Sequence, residues 1–155
     1  MTDYNCTTQN RGDRLELAFV VVVWCLMSAV GVAFIVNYGS DVPVADDWGF
    51  VIPLAEGQPL TASWLWEQAA EHHVPLQKLV MWCVWHATGG SLRAGMLWGF
   101  IPLVLVAGFL PLAARRARGQ SEYTDAFFPL LLLHMGHAGV FVWFIAHMFD
   151  INNQR

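Results

Sequence analysis

Three long runs without a charged side chain constrain this sequence more than any other feature. They cover residues 17–36, 94–114 and 126–149, and they are 20, 21 and 24 residues long. A helix needs about 20 apolar residues to cross the roughly 30 Å hydrocarbon core of a bilayer. In lipid, a helix is the only open-ended structure that satisfies its own backbone hydrogen bonds. The runs therefore predict three transmembrane helices in an all-α integral membrane protein, with residues 1–155 as a single membrane domain.

The amino-acid composition agrees with a membrane location. Hydrophobic residues make up 56% of the chain and charged residues only 13%, against about 25% charged residues in ordinary globular proteins. Eight Lys and Arg stand against twelve Asp and Glu, which argues against a nucleic-acid partner. Three widely spaced cysteines form neither a disulfide framework nor a zinc-site spacing. The first run exceeds the apolar core of about 7–15 residues in a signal peptide, so we interpret it as a retained anchor.

Arginines decide the predicted orientation. Arg11 and Arg14 precede the first run, and Arg115, Arg116 and Arg118 follow the second. Placing all of them on the cytoplasmic side satisfies the positive-inside rule. The prediction is a multi-pass protein of the cell (inner) membrane with a cytoplasmic N-terminus and an outer segment at residues 37–92. Residues 37–77 contain six acids and no Lys or Arg, which agrees with that orientation.

The outer segment is predicted to contain two short surface helices. One covers about residues 61–72. The other covers about residues 75–88, is too short to span a bilayer, and carries Lys78 among apolar and Trp residues that favour the membrane interface. The residues suited to cap these helices and the span that follows are Thr61 or Ser63, Gly89 and Ser91.

Two polar segments of the outer region have residue types that can carry chemistry. Asp46 and Asp47 lie ten residues beyond the first run. Two carboxylates at a membrane surface can serve as a general base for an acceptor hydroxyl or hold a divalent cation against a phosphate, and a solvated acidic loop is the alternative. Glu71, His72 and His73 can bind a metal or shuttle protons, and the polar end of a surface helix is the alternative.

Histidines in the third run and an arginine at the second add two further candidates. His134 and His137 share one helix face, and His147 follows in the same run. They can ligate a metal or haem, or form hydrogen bonds to a neighbouring helix. Arg93 can extend to lipid headgroups or pair with a lipid-linked phosphate.

Five segments follow one another in an informative order. They are Asp46-Asp47-Trp48, residues 64–72, His73-Val74-Pro75-Leu76, Gly89-Gly90-Ser91-Leu92-Arg93 and Arg115-Arg116-Ala117-Arg118. In this order and spacing the chain resembles the N-terminal part of the GT-C superfamily of membrane glycosyltransferases. That superfamily includes the protein O-mannosyltransferases and the aminoarabinose transferases of lipid A.

The resemblance implies transfer of a sugar from a polyprenyl-phosphate donor to an extracytoplasmic acceptor. By carry-over of the matching residues, Asp46 or Asp47 is the catalytic carboxylate, and a divalent cation is a candidate cofactor. Arg93 then lies near the donor phosphate or braces the loop. The residues that the resemblance assigns to acceptor or loop contacts are Trp48, Glu71, His72 and His73.

Members of the superfamily have more spans than the three predicted here. We therefore expect this chain to be a fragment or a small relative that is inactive by itself. Two alternatives stay open: a small non-enzymatic membrane protein that packs against a larger partner, and a metal or haem protein that uses His134 and His137. The predicted partners are the bilayer, a polyprenyl-phosphate sugar and other membrane helices.

Overall fold

The computed structural model describes residues 3–43, 47–68 and 73–137, with side chains from residue 12 onward. Over these residues the chain is helical. The α-helices are α1 (Asp3–Tyr38), α2 (Trp48–Ala55), α3 (Ala62–Trp66), α4 (Pro75–Thr88), α5 (Leu92–Arg118) and α6 (Phe127–Leu133). Short 3-10 helices cover Tyr123–Ala126 and Met135–His137.

The chain divides into two compact units. The first, which we call the helix-pair unit, contains residues 3–34 and 100–137 of the described chain. The second, which we call the loop unit, contains the described part of residues 35–99.

Among the residues that the structure describes, two helices are long and apolar enough to cross a membrane, and they contain the first two predicted spans. These segments are Gly12–Tyr38 and Leu92–Arg118, each 27 residues long. Only 17% and 22% of the residues in their most apolar windows are buried. Protein therefore covers little of either surface, unlike the core helix of a soluble domain.

In the helix-pair unit, α1 and α5 run antiparallel and approach closely at glycines. A Cβ added at Gly31 would overlap the ring of Phe100, and one added at Gly108 would lie 3.0 Å from the indole of Trp24. The Trp24 indole N–H also donates to the Val104 carbonyl at 2.9 Å. Small residues let helix backbones approach closely where lipid supplies no hydrophobic driving force.

The basic end of this unit is held by Asp13. Its carboxylate accepts hydrogen bonds from the Arg115 guanidinium at 2.8 Å and from the Ser121 backbone N–H at 2.6 Å. Beyond α5, the Arg118 guanidinium donates to Asp125 at 2.6 Å. The N-terminal part of α1 and the C-terminal part of α5 therefore lie side by side, as the predicted grouping of arginines requires.

The third predicted span, residues 126–149, is described only as far as residue 137. Within that part, α6 ends at Leu133 because His134 leaves the helical conformation (φ −71°, ψ 151°). A 3-10 turn follows at Met135–His137. His147 and the remainder of the run lie outside the described residues, so the third span remains a prediction.

The loop unit packs α2, α3 and α4 around an aromatic core. The buried members of this core are Phe50, Leu54, Trp64 and Met81. The apolar helix α2, with Pro53 inside it, was not predicted from the sequence. Helix α4 has the predicted bounds, Pro75–Thr88, and ends where Gly89 adopts the left-handed conformation at φ 69°.

Helix α3 is much shorter than the predicted segment 61–72. It begins where predicted, since the Thr61 hydroxyl accepts from the backbone N–H of Trp64 at 3.2 Å. It ends at Trp66, because Glu67 is extended (φ −60°, ψ 138°). The prediction extended the helix too far because it used side-chain periodicity alone. Periodicity does not reveal whether a distant side chain donates to the last carbonyls of a helix and so lets the helix end there.

Candidate functional site

The candidate residues from the acidic motif lie at the start of α2. Asp47 directly precedes this helix and is only 4% exposed, whereas Trp48, its first residue, is 49% exposed. Adjacent side chains thus lie in opposite environments, and Asp47 is not a solvated loop residue. A buried carboxylate at a helix N-terminus is favoured by the helix dipole. Asp46 lies outside the described residues.

Arg93 fastens the beginning of α5 to the end of α1. Its Nε and Nη2 atoms donate to the Gly39 carbonyl at 3.2 and 2.9 Å. This carbonyl follows the last turn of α1, so the guanidinium joins the two helices through backbone rather than through a side chain. The contact is of the bracing kind, and a role at a donor phosphate remains a prediction.

Asp41 completes this junction, although sequence analysis counted it only among the acids of the loop. Its carboxylate accepts from the Arg93 backbone N–H and the Ser91 hydroxyl, both at 3.0 Å. The Ser91 hydroxyl in turn accepts from the Ala94 backbone N–H at 3.2 Å, as expected of the capping residue. The Arg93 backbone hydrogen bond, aided by Ser91 and the Arg93 charge, lowers the pKa of Asp41 below its ordinary value of 3.8.

His73 is engaged with Trp66 rather than with a metal ligand set. Its Nδ1 atom lies 2.7 Å from the Trp66 carbonyl oxygen, and the imidazole stacks on the indole at 5.9 Å between ring centroids. Glu71 and His72 lie outside the described residues. Over the part of the chain that the structure describes, no group of three His, Cys, Asp or Glu side chains could hold a metal ion.

His134, the candidate for the haem or metal alternative, has a local contact. Its Nδ1 atom accepts from the Gly136 backbone N–H at 2.9 Å. A neutral imidazole whose Nδ1 accepts a hydrogen bond carries its hydrogen on Nε2. His137 belongs to the 3-10 turn that follows, not to a helical face shared with His134, so the predicted helical spacing of the pair does not hold here.

Lys78 is the charged group that sequence analysis treated only as an interruption of an apolar helix. It is 4% exposed, and its ammonium donates to the carbonyls of Trp64 at 2.8 Å and Glu67 at 2.7 Å. It also lies 5.3 Å from the centroid of the Trp64 ring. Burial lowers the pKa of Lys78, and the nearby Glu67 charge opposes that effect. Lys78 therefore caps the C-terminal end of α3.

Beside α3 the loop unit has an open groove of about 580 Å³. Its walls are formed by Gln58, Thr61, Ser63, Trp64, Trp66 and Glu67. Trp66 is 66% exposed, although His73 stacks against its ring. The Thr61 and Ser63 hydroxyls lie 3.1 Å apart. The groove thus combines an exposed indole with hydroxyl, amide and carboxylate groups.

Such a combination is suited to a carbohydrate. The C–H faces of a sugar ring pack against the electron-rich face of an indole, and its hydroxyls need both donors and acceptors, which amide, hydroxyl and carboxylate side chains supply. Small-molecule sites of about 300–1,000 Å³ usually join an apolar surface to a few polar groups in this way. Sequence analysis included residues 64–72 in a matched segment but missed Gln58 and the groove, which form only when α3 is tethered at both ends.

No protein-family model matches the chain, and no curated protein or solved structure is similar to it. The groove, the buried carboxylate and the two apolar helices are therefore the features that bear on function.

Proposed function

We propose that this chain is a membrane protein whose loop unit binds a polyprenyl-phosphate-linked sugar outside the cytoplasm, in the manner of a GT-C glycosyltransferase. The groove beside α3 is the observation that carries the proposal. Its exposed Trp66 offers a ring face to the sugar, and Glu67 and Gln58 offer an acceptor and a donor for its hydroxyls.

The membrane part of the proposal includes three spans, with residues 126–149 as the third. Two apolar helices of sufficient length support it. The contact between Asp13 and Arg115 supports a common side for the arginine-bearing ends of α1 and α5. With that side cytoplasmic, the segment joining the other ends of these helices lies outside, where a lipid carrier would present its phosphate at the interface.

The catalytic part of the proposal assigns sugar transfer to Asp46 or Asp47. One of these carboxylates accepts the proton of the acceptor hydroxyl as it attacks the anomeric carbon, while the polyprenyl phosphate leaves. Asp47 is the described member of the pair, and its place at the start of α2, in the unit that also forms the groove, supports its choice. Arg93 holds the loop in place through Gly39.

Binding is tested with the purified full-length protein in detergent and short-chain polyprenyl-phosphate sugars carrying glucose, mannose or aminoarabinose. Isothermal titration calorimetry should detect at least one of them. Trp66→Ala should weaken that binding roughly tenfold, the effect of losing about 1.4 kcal/mol of aromatic stacking. Trp98→Ala is the matched control, because Trp98 is an exposed indole in the same unit that does not line the groove.

Absence of binding for all three sugars, or equal losses in the two tryptophan variants, would contradict the proposal. It would favour the alternative of a non-enzymatic protein that packs against a partner. Because we expect the chain to be inactive by itself, transfer is assayed separately, with Asp46→Asn and Asp47→Asn, in native membranes where other membrane helices can associate with it. Sugar transfer that is unchanged in both variants would remove the catalytic assignment and leave the binding assignment intact.

A further inference from the structure

The helix-pair unit contains two adjoining cavities with different linings. One, of about 310 Å³, is lined by apolar side chains of α1 and α5, among them Trp24, Phe109 and Leu112, and by Gly108. The other, of about 720 Å³, is lined by Phe109, Leu112, Ala113, Arg115, Arg116 and Ala117. Phe109 and Leu112 belong to both linings. The two cavities therefore adjoin at these residues, one lined by apolar groups and the other reaching Arg115 and Arg116.

The apolar end offers hydrocarbon but no hydrogen bonds to a ligand. The indole of Trp24, whose N–H is the lone side-chain donor among these lining residues, already donates to the Val104 carbonyl. The indole packs closely against Gly108, since a Cβ there would lie 3.0 Å from its ring. This end fits an alkyl chain rather than a polar molecule.

The basic end has a cation whose charge is not neutralised by a described partner. Arg115 pairs with Asp13, and Arg118 pairs with Asp125. Arg116 is exposed and lines the cavity, and it forms no ion pair with any side chain from residue 12 onward that the structure describes. Its guanidinium carries donors in a fork that matches a phosphate group.

We infer that the helix-pair unit binds one anionic phospholipid, with an acyl chain in the apolar cavity and the headgroup phosphate at Arg116. The charge of Arg116 and the apolar cavity that adjoins the basic one favour a lipid over a peptide or a free anion. The inference rests on the membrane location in the proposed function but not on sugar binding. Basic pockets between membrane helices are a recurrent setting for anionic headgroups.

Lipid exchange tests this inference on the full-length protein. The protein is reconstituted in nanodiscs of phosphatidylcholine, with and without added phosphatidylglycerol, and its thermal unfolding midpoint is recorded. Native mass spectrometry of detergent-released samples counts the lipid that stays bound. We expect a higher midpoint with phosphatidylglycerol, and one retained phosphatidylglycerol molecule per chain.

Two variants separate the two ends of the site. Arg116→Gln should weaken retention of phosphatidylglycerol roughly tenfold, the loss of one charge-assisted hydrogen bond. Leu112→Trp should block both cavities and reduce retention of any lipid. Arg14→Gln is the control, because Arg14 is an exposed arginine of the same unit that lines neither cavity.

Equal losses in Arg14→Gln and Arg116→Gln would indicate general attraction to a negative surface and would overturn the inference. So would stabilisation of the detergent-solubilised protein by inorganic phosphate alone to the same extent, because the site would then need no acyl chain. If the protein enters nanodiscs normally but phosphatidylglycerol changes neither its unfolding midpoint nor the retained lipid, the lipid-binding inference is overturned and the membrane location stands. Failure to enter nanodiscs would overturn the membrane location as well.

Discussion

In the helix-pair unit, α1 and α5 are long enough to satisfy most of their own N–H and C=O groups, whereas the loop unit uses helices of eight, five and fourteen residues. Each helix end leaves about four N–H or four C=O groups without an intrahelical partner. The five-residue helix α3 therefore has almost no internal bonding to rely on. Its ends need donors and acceptors from elsewhere in the loop unit.

The contacts of the two units reflect this difference. In the loop unit, Thr61 caps the start of α3, Lys78 takes its last carbonyls, and the Trp82 indole N–H donates to the Gln58 carbonyl at 3.1 Å. In the helix-pair unit, close approach at Gly31 and Gly108 brings backbones together. The short helices thus depend on hydrogen bonds from specific side chains at their ends. The long apolar helices depend on glycines at the positions where they pack against each other.

Removing the ammonium of Lys78 should have the largest effect. Lys78→Met keeps most of the side-chain volume but removes the ammonium that donates to the Trp64 and Glu67 carbonyls. The Trp64 carbonyl keeps only its 3.3 Å hydrogen bond from the Glu67 backbone N–H. The free energy of unfolding should fall by about 3 kcal/mol. Hydrogen exchange should show faster amide exchange in α3 and unchanged exchange in the helix-pair unit. Leu76→Met, at a site 73% exposed on the same helix, is the control. Equal effects of the two substitutions would argue against the tether.

A larger side chain at Gly31 should have the next largest effect on the free energy of unfolding, and this effect should be confined to the helix-pair unit. Gly31→Leu places a side chain where the Phe100 ring lies, and such overpacking should cost about 2 kcal/mol. Gly12→Leu in the same helix is the control, since nothing lies within 4 Å of a Cβ there. Thermal unfolding in detergent measures both. A Gly31→Leu protein as stable as the control would contradict the close helix contact.

Loss of the Asp41 carboxylate should be milder, because two other groups still hold the junction. Asp41→Ala removes a hydrogen bond from the first turn of α5 and should cost about 1 kcal/mol. Ser91→Ala should have a similar effect. The double variant should cost less than the sum, because Asp41 and Ser91 share one hydrogen bond. Strict additivity in chemical denaturation would show that the two residues act independently.

The smallest effect should be the pH dependence of stability that comes from Asp41 at the junction between α1 and α5. The pKa of Asp41 is lower in the folded protein than its ordinary value of 3.8. The stabilisation is therefore complete above pH 3.8 and is lost as the pH falls through the folded-state pKa. For this exposed group the change should stay below about 1 kcal/mol. Asp41→Asn should flatten the stability profile in that acidic interval, and an unchanged profile would exclude Asp41 as its source.

Much of the helical framework follows from local sequence. Uncharged runs predicted α1 and α5, and the Pro75 and Gly89 boundaries predicted α4, because length, apolar character and capping residues act over a few turns. Helix α2 was missed because its apolar segment is short and contains Pro53. The end of α3 was misjudged because it depends on Lys78, which lies eleven residues beyond Glu67.

The candidate site was predictable only in part. The sequence predicted Arg93 as a candidate site residue because it is charged and begins an apolar run. It predicted Asp47 as a candidate because Asp46 and Asp47 are adjacent carboxylates. Their environments could not be predicted, since the backbone carbonyl that binds Arg93 lies 54 residues earlier. The burial of Asp47 beside an exposed Trp48 depends on how α2 packs.

The sequence by itself determined which segments are apolar enough to cross a bilayer, which ends carry the arginines, and where capping residues stop or start a helix. These properties depend on residues within a few turns of one another. Only the tertiary structure decided that Lys78 tethers α3, that Asp41 and Arg93 join α1 to α5, and that the lining of the two cavities meets at Phe109 and Leu112. Those contacts join residues distant in the chain, and their strength comes from burial and geometry that no local pattern contains.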